Sequence, residues 1–239
     1  MTQNRQDVKK RVANWLGSPK RVTHQLLVSG YSFISLPTAK FHKNATYEFF
    51  TELYNGKLDP LVFDGKNQRY FEQIELIYDI RNLNNRTVLD LGCGSGSIFY
   101  WLSMRKINLK SYIGFDFAYP EKKLEQNACI IRKDIGSINM EEFTSPTIMA
   151  VNILCYLNTN TIKSVLLHKQ QDIELIIIDP IPGLFWDAHF AGVKPFYRKP
   201  SRIIEMLELA GWNITGMSID YGIMLKNHFA FPLSYCITA

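Results

Sequence analysis

The sequence predicts an α/β protein: a seven-stranded, mostly parallel, doubly wound sheet whose last strand runs antiparallel, with an N-terminal helical cap. Three observations lead there. From Arg86 onward, short apolar runs alternate with stretches of helical spacing, the texture of a parallel sheet flanked by helices. The last two runs are joined through residues 220–228 without a helical pattern, as in an antiparallel pair. Residues 1–85 are helical or irregular in pattern and carry no comparable alternation. The expected division is therefore a cap over residues 1–85 and a core over residues 86–239.

In chain order, the first feature is charge. Eight cations (Arg5, Lys9, Lys10, Arg11, Lys20, Arg21, Lys40 and Lys43) stand against Asp7 alone before residue 44, so this arm carries +7 of a net +5, and the rest of the chain is −2. Charge gathered in one segment points to an anionic partner more strongly than charge spread over a surface. Residues 45–54 are aromatic-rich, and Tyr54 is a candidate for lining a pocket. Residues 68–80 place Phe71, Ile74, Ile77 and Ile80 on one helical face. Turn chemistry follows at Asn82–Asn85. The expected strands are 87–91, 111–115, 128–131, 147–153, 175–178, 212–219 and 229–238; helices are expected at 97–104, 159–168 and 201–210.

Composition narrows the class. Of 239 residues, 46% are hydrophobic and 21% charged, which fits a folded domain with its own core. No run of about 18 apolar residues predicts a membrane span, and the N-terminus lacks the apolar stretch of a secretory leader. Cys93, Cys129, Cys155 and Cys236 form no CxxC pair, so no metal site is expected. A reduced, cytoplasmic setting is the expectation.

The segment that carries chemistry reads TVLDLGCGSGSIFYWL from Thr87. A strand enters a turn with Gly92, Gly94 and Gly96, and a helix leaves it; glycines let a backbone bend sharply and approach a ligand, and a helix N-terminus presents N–H groups. A nicotinamide-dinucleotide turn needs a third glycine or alanine one place later, where Ser97 stands. Asp90, two residues before the first glycine, would repel a pyrophosphate and suits a ligand bearing an ammonium group.

This segment, DLGCGSG, closely resembles the first motif of class I S-adenosylmethionine-dependent methyltransferases. Later segments resemble the family's in order, over roughly residues 86–239. In YIGFDF, Asp116, 26 residues after Asp90, matches the acid that binds the ribose hydroxyls, and Phe117 would border the adenine. Asp134 and Ile135 match the segment that reads the adenine amino group, and Asn152 in AVNILCYL would line the sulfonium side. Residues 209–212 (LAGW) resemble the helix end before the sixth strand. The resemblance implies a cofactor site of Asp90, Gly92, Cys93, Gly94, Ser95, Gly96, Asp116, Phe117, Asp134, Ile135 and Asn152, with Tyr70 from the cap reaching it, and implies S-adenosylmethionine as the cofactor. The family's N/D-P-P-F/Y motif for amino acceptors is absent at Asn152-Ile153-Leu154-Cys155; Asp179-Pro180-Ile181-Pro182 follows the fifth strand instead.

Residues 180–200 leave a strand's carboxyl end, where ligands bind in open α/β sheets. Trp186, Lys194, Tyr197, Arg198 and Lys199 are the expected substrate residues, and His189 and Tyr156 the expected catalytic ones, with Asp187 as another candidate base. Two basic clusters lead to a small, anionic acceptor. RNA is the alternative acceptor, and a non-catalytic cofactor-binding scaffold is a further one.

Overall fold

The structure, a computed structural model, describes residues 65–166, 172–180, 198–224 and 229–239; for residues 65–69, 166, 220–224 and 229–233 the backbone alone is described. His189, Trp186, Lys194, Tyr197, Asp187, Tyr54 and the basic arm lie outside the described residues.

The sheet has eight strands: β1 (Thr87–Leu91), β2 (Ser111–Asp116), β3 (Lys122–Glu125), β4 (Ala128–Arg132), β5 (Thr147–Val151), β6 (Glu174–Pro180), β7 (Gly216–Met224) and β8 (Phe229–Thr238). Their order is β3-β4-β2-β1-β5-β6-β8-β7. The five strands β4, β2, β1, β5 and β6 are mutually parallel; β8 runs antiparallel to β6 and β7, and only residues 225–228 separate β7 from β8, too few for a parallel crossover. Four helices are described: α1 (Gly65–Ile77), α2 (Ser97–Met104), α3 (Thr159–Leu166) and α4 (Pro200–Leu209).

The seven expected strands are all present, and β3 is an eighth. Lys122-Lys123-Leu124-Glu125 shows neither alternation nor β-branched residues; its antiparallel pairing with β4, not its own propensity, makes it a strand. Its charged, exposed residues suit a sheet edge. Other corrections are to bounds. Residues 212–215 precede β7, and residues 152–153 leave β5. Pro232 is accommodated in β8 because β6 pairs only with Ser234–Thr238; Pro232 lies beyond it, next to a register shift in β7.

Strands β1, β5 and β6 are apolar on both faces because helices cover both. Leu89, Leu91, Ile148, Ile177 and Ile237 face one core with Ile162 of α3 and Leu207 of α4. Val88, Met149, Ile176 and Ile178 face the other with α1 and α2. There Phe71 stacks on Trp101 with ring centroids 4.6 Å apart, a pair worth about 1 kcal/mol beyond its buried area. Gln73 of α1 donates to the carbonyls of Ser218 and Ser234, and Ser234 Oγ donates back to Gln73 Oε1. Helix α1, although before residue 86, is thus packed on the β7–β8 end of the sheet. No helix among the described residues is long and apolar enough to cross a membrane.

Candidate functional site

The carboxyl ends of the parallel strands form one edge, and the expected site residues are strung along it. At the end of β1 the chain turns through Gly92, at φ +70°, where a Cβ would come 2.5 Å from Ile153 Cδ1. Only glycine satisfies both the left-handed backbone and that contact. The amides of Gly92 and Cys93 donate to Phe115 O at 2.8 and 3.1 Å, tying the turn to β2. Gly96, at φ +86°, sits at the N-cap of α2 and closes the turn with a 2.9 Å bond to Cys93 O. Ser95 is partly exposed at the tip.

Asp116 organises this turn. Its Oδ2 accepts from Gly94 N at 3.0 Å, and its Oδ1 from Ala118 N and Tyr119 N at 2.8 and 2.9 Å. The carboxylate is held rigidly beside the glycine turn, with Phe117 partly exposed next to it. From β4, adjacent to β2, the chain reaches Asp134, whose carboxylate caps a short turn by accepting from Gly136 N at 2.9 Å, and Ile135, which is buried. From β5, on the other side of β1, Asn152 is exposed in a left-handed conformation at φ +55°, a backbone state that clusters at functional sites. Asp134, Asp116, Gly92 and Asn152 thus close four adjacent strands, an edge about 14 Å long at the usual strand spacing.

Three of the expected cofactor residues have side chains turned inward. Asp90 is enclosed: it is 1% exposed and accepts a hydrogen bond from Tyr112 Oη. Burial, helped by the charge of Asp116 and opposed by the Tyr112 bond, pushes its carboxyl up to about 7. The strand's alternation turns it toward the α1–α2 core rather than the open side of the turn. Cys93 packs its side chain beneath the turn against Tyr119 and Ile130, and burial raises its thiol. Tyr70 is buried with Phe71 and Ile74 in the α1-side core.

No protein-family model matches the chain, and no curated protein matches it in sequence. Solved structures do match in shape. A candidate S-adenosylmethionine-dependent methyltransferase from Listeria monocytogenes is 18% identical, with a TM-score of 0.53 over 70% of this chain and 94% of its own. One from Archaeoglobus fulgidus is 15% identical, with a TM-score of 0.50 over 80% and 98%. Magnesium protoporphyrin IX methyltransferase from Synechocystis, with SAH bound, is 16% identical, with a TM-score of 0.50 over 81% and 93%. The chain has the S-adenosylmethionine-dependent methyltransferase fold.

Within the methyltransferase fold, the edge continues beyond Asn152 into a polar cluster that the sequence did not reveal. Asn152 N donates to Ile178 O at 2.7 Å, so the exit of β5 is bonded to the residue before Asp179. Asp179 is 1% exposed. Burial pushes its carboxyl up to about 7, against the backbone N–H groups of Cys155 and Leu154, the Cys155 thiol and the charge of Arg198. Arg198, expected to meet substrate, donates instead to the carbonyls of Leu154 and Leu157 at 2.9 and 2.8 Å and so braces the turn after β5. Lys199 is exposed at the N-cap of α4. Tyr156 is partly exposed in the turn that Arg198 braces. Cys155, Asp179 and Arg198 lie far apart in sequence, and no local pattern joins them.

Proposed function

We propose that this chain transfers a methyl group from S-adenosylmethionine to a small acceptor. The observation that carries the reading is the bond from Gly94 N to the Asp116 carboxylate, which fixes a glycine turn and an acid side by side at the ends of β1 and β2. A Cβ at Gly92 would overlap Ile153, so only a bare backbone fits this turn. Gly92, Gly94, Ser95 and Gly96 would hold the amino-acid part, Asp116 the ribose, Phe117, Asp134 and Ile135 the adenine, and Asn152 the sulfonium side. Asp90, Cys93 and Tyr70 would support the site from beneath. The cofactor supplies an activated methyl group; the chain's own part is to align the acceptor and exclude water.

The acceptor in this reading is a small molecule with negative charge away from the reacting atom. Its support is the +7 arm together with Lys194 and Lys199. Trp186, Tyr197, His189 and Tyr156 complete the proposed acceptor side. The same arm favours RNA as a second reading; binding to RNA that weakens steeply with salt would select it. The setting we propose is a reduced cytoplasm, where four free cysteines, three of them buried, stay as thiols.

Incubation with methyl-labelled S-adenosylmethionine and a fractionated cell extract tests the reading. Label is expected in a small-molecule fraction. Label in RNA selects the second reading, and no transfer to any fraction contradicts both.

A further inference from the structure

Five buried side-chain atoms among the described residues have no hydrogen-bond partner: Arg86 Nε, Trp101 Nε1, Asp179 Oδ1, Ser218 Oγ and Tyr235 Oη. Two of the five belong together. Asp179 of β6 and Tyr235 of β8 are directly opposed in antiparallel register, which puts their Cβ atoms about 5 Å apart on one face of the sheet. Both are shut off from solvent, at 1% and 0% exposure. Buried polar groups are almost always paired, so two adjacent unpaired ones, an acid and a phenol, mark a place for a third group.

The Asp179 carboxyl lies beside the turn that holds Leu154 and Cys155, whose N–H groups and thiol favour its charged form, while Oδ1 has no partner. The pair also stands where an acceptor is needed. Strand β6 is two places from β1 in the sheet, about 10 Å from the glycine turn. Cys155 Sγ lies 3.9 Å from Asn152 Oδ1, linking the pair to the exit of β5.

We propose that Asp179 Oδ1 and Tyr235 Oη bind the reacting group of the methyl acceptor, and that this group is a neutral hydroxyl or amine rather than a carboxylate. The name of the ligand rests on the methyl-transfer reading; the site itself does not. An ionised carboxylate only accepts hydrogen bonds, whereas a phenol donates and accepts. A hydroxyl donates to Asp179 and accepts from Tyr235, keeping a second lone pair for the methyl group; a neutral amine donates one N–H to each and keeps its single lone pair free, and either satisfies both orphans at once. An ionised carboxylate would meet the acid of Asp179 in a dry site, where only one of the two can stay charged. The negative charge of an anionic acceptor therefore belongs elsewhere on the molecule.

Amide-detected NMR titration with phenol, aniline and benzoate tests this on the full chain, first alone and then with SAH. Phenol and aniline are expected to bind saturably and at least tenfold more tightly than benzoate. Asp179→Asn and Tyr235→Phe, which keep shape, are each expected to weaken phenol at least tenfold while the amide spectrum stays folded. Benzoate binding as tightly as phenol, no saturable binding by any of the three, or unchanged phenol affinity in both folded variants overturns the proposal. Should either variant not fold, the order of phenol over benzoate on the unaltered chain decides it. SAH binding is read by calorimetry on the same samples: its failure removes the methyl-transfer reading and leaves the site, and the converse result removes only the site.

Discussion

Asp90 and Asp179 are the same residue at nearly the same depth, two strands apart in one sheet, and burial pushes each up to about 7. Each has a tyrosine on a neighbouring strand. The Asp90 pair is closed, since Tyr112 Oη donates to its carboxylate. The Asp179 pair is open, with Oδ1 and Tyr235 Oη both unpartnered. The contrast separates two uses of a buried acid. A closed pair fixes the shape of the glycine turn above it. An open pair at the strand ends keeps hydrogen-bonding capacity for something that arrives from outside.

The harshest change strikes the closed side. Gly92→Ala adds a Cβ at φ +70° and 2.5 Å from Ile153, so unfolding in urea should show a loss of about 4 kcal/mol, with SAH binding abolished. Next is pH. Both acids have folded-state values raised above the ordinary 3.8. Their contribution to stability is full below about pH 4 and is lost as pH rises through about 7. Stability should therefore fall between about pH 4 and 7, and Asp179→Asn should remove about half of that fall. An unchanged slope in the variant would put the titration elsewhere. Asp116→Asn replaces one of the two carboxylate oxygens that accept from the turn's amides with an NH2 donor; SAH affinity should drop by about 2 kcal/mol, near thirtyfold, in calorimetry.

The smallest effects divide the two tyrosines. Tyr112→Phe strips Asp90 of its donor and should cost about 1.5 kcal/mol. Tyr235→Phe removes a hydroxyl that has no partner and should change stability by less than about 0.5 kcal/mol. Equal losses in the two variants would erase the distinction between closed and open pairs.

How much of this could be read in the sequence follows from how local each feature is. The glycine turn was legible because Thr87–Leu91, three glycines and α2 are contiguous and each obeys its own backbone chemistry. Asp116 was legible through the resemblance of YIGFDF to the family's second strand, with a spacing from Asp90 that suits one strand-helix-strand step. Lys122–Glu125 was not, because its strand state is conferred by pairing with β4. The charge argument expected Asp90 to face a ligand's ammonium group; which face a strand residue occupies depends on register, and register turns Asp90 toward the α1–α2 core. The Asp179–Tyr235 pair was hidden for the same reason. Asp179 reads as part of a proline-rich exit, and only the antiparallel return of β8 brings Tyr235 to it.

The most direct test of the account is calorimetric titration of the purified chain with SAH and, in parallel, with NAD. The account predicts saturable binding of SAH, lost in Gly92→Ala, and no heat of binding with NAD. Binding of NAD, or no binding of SAH to a folded chain, would contradict it.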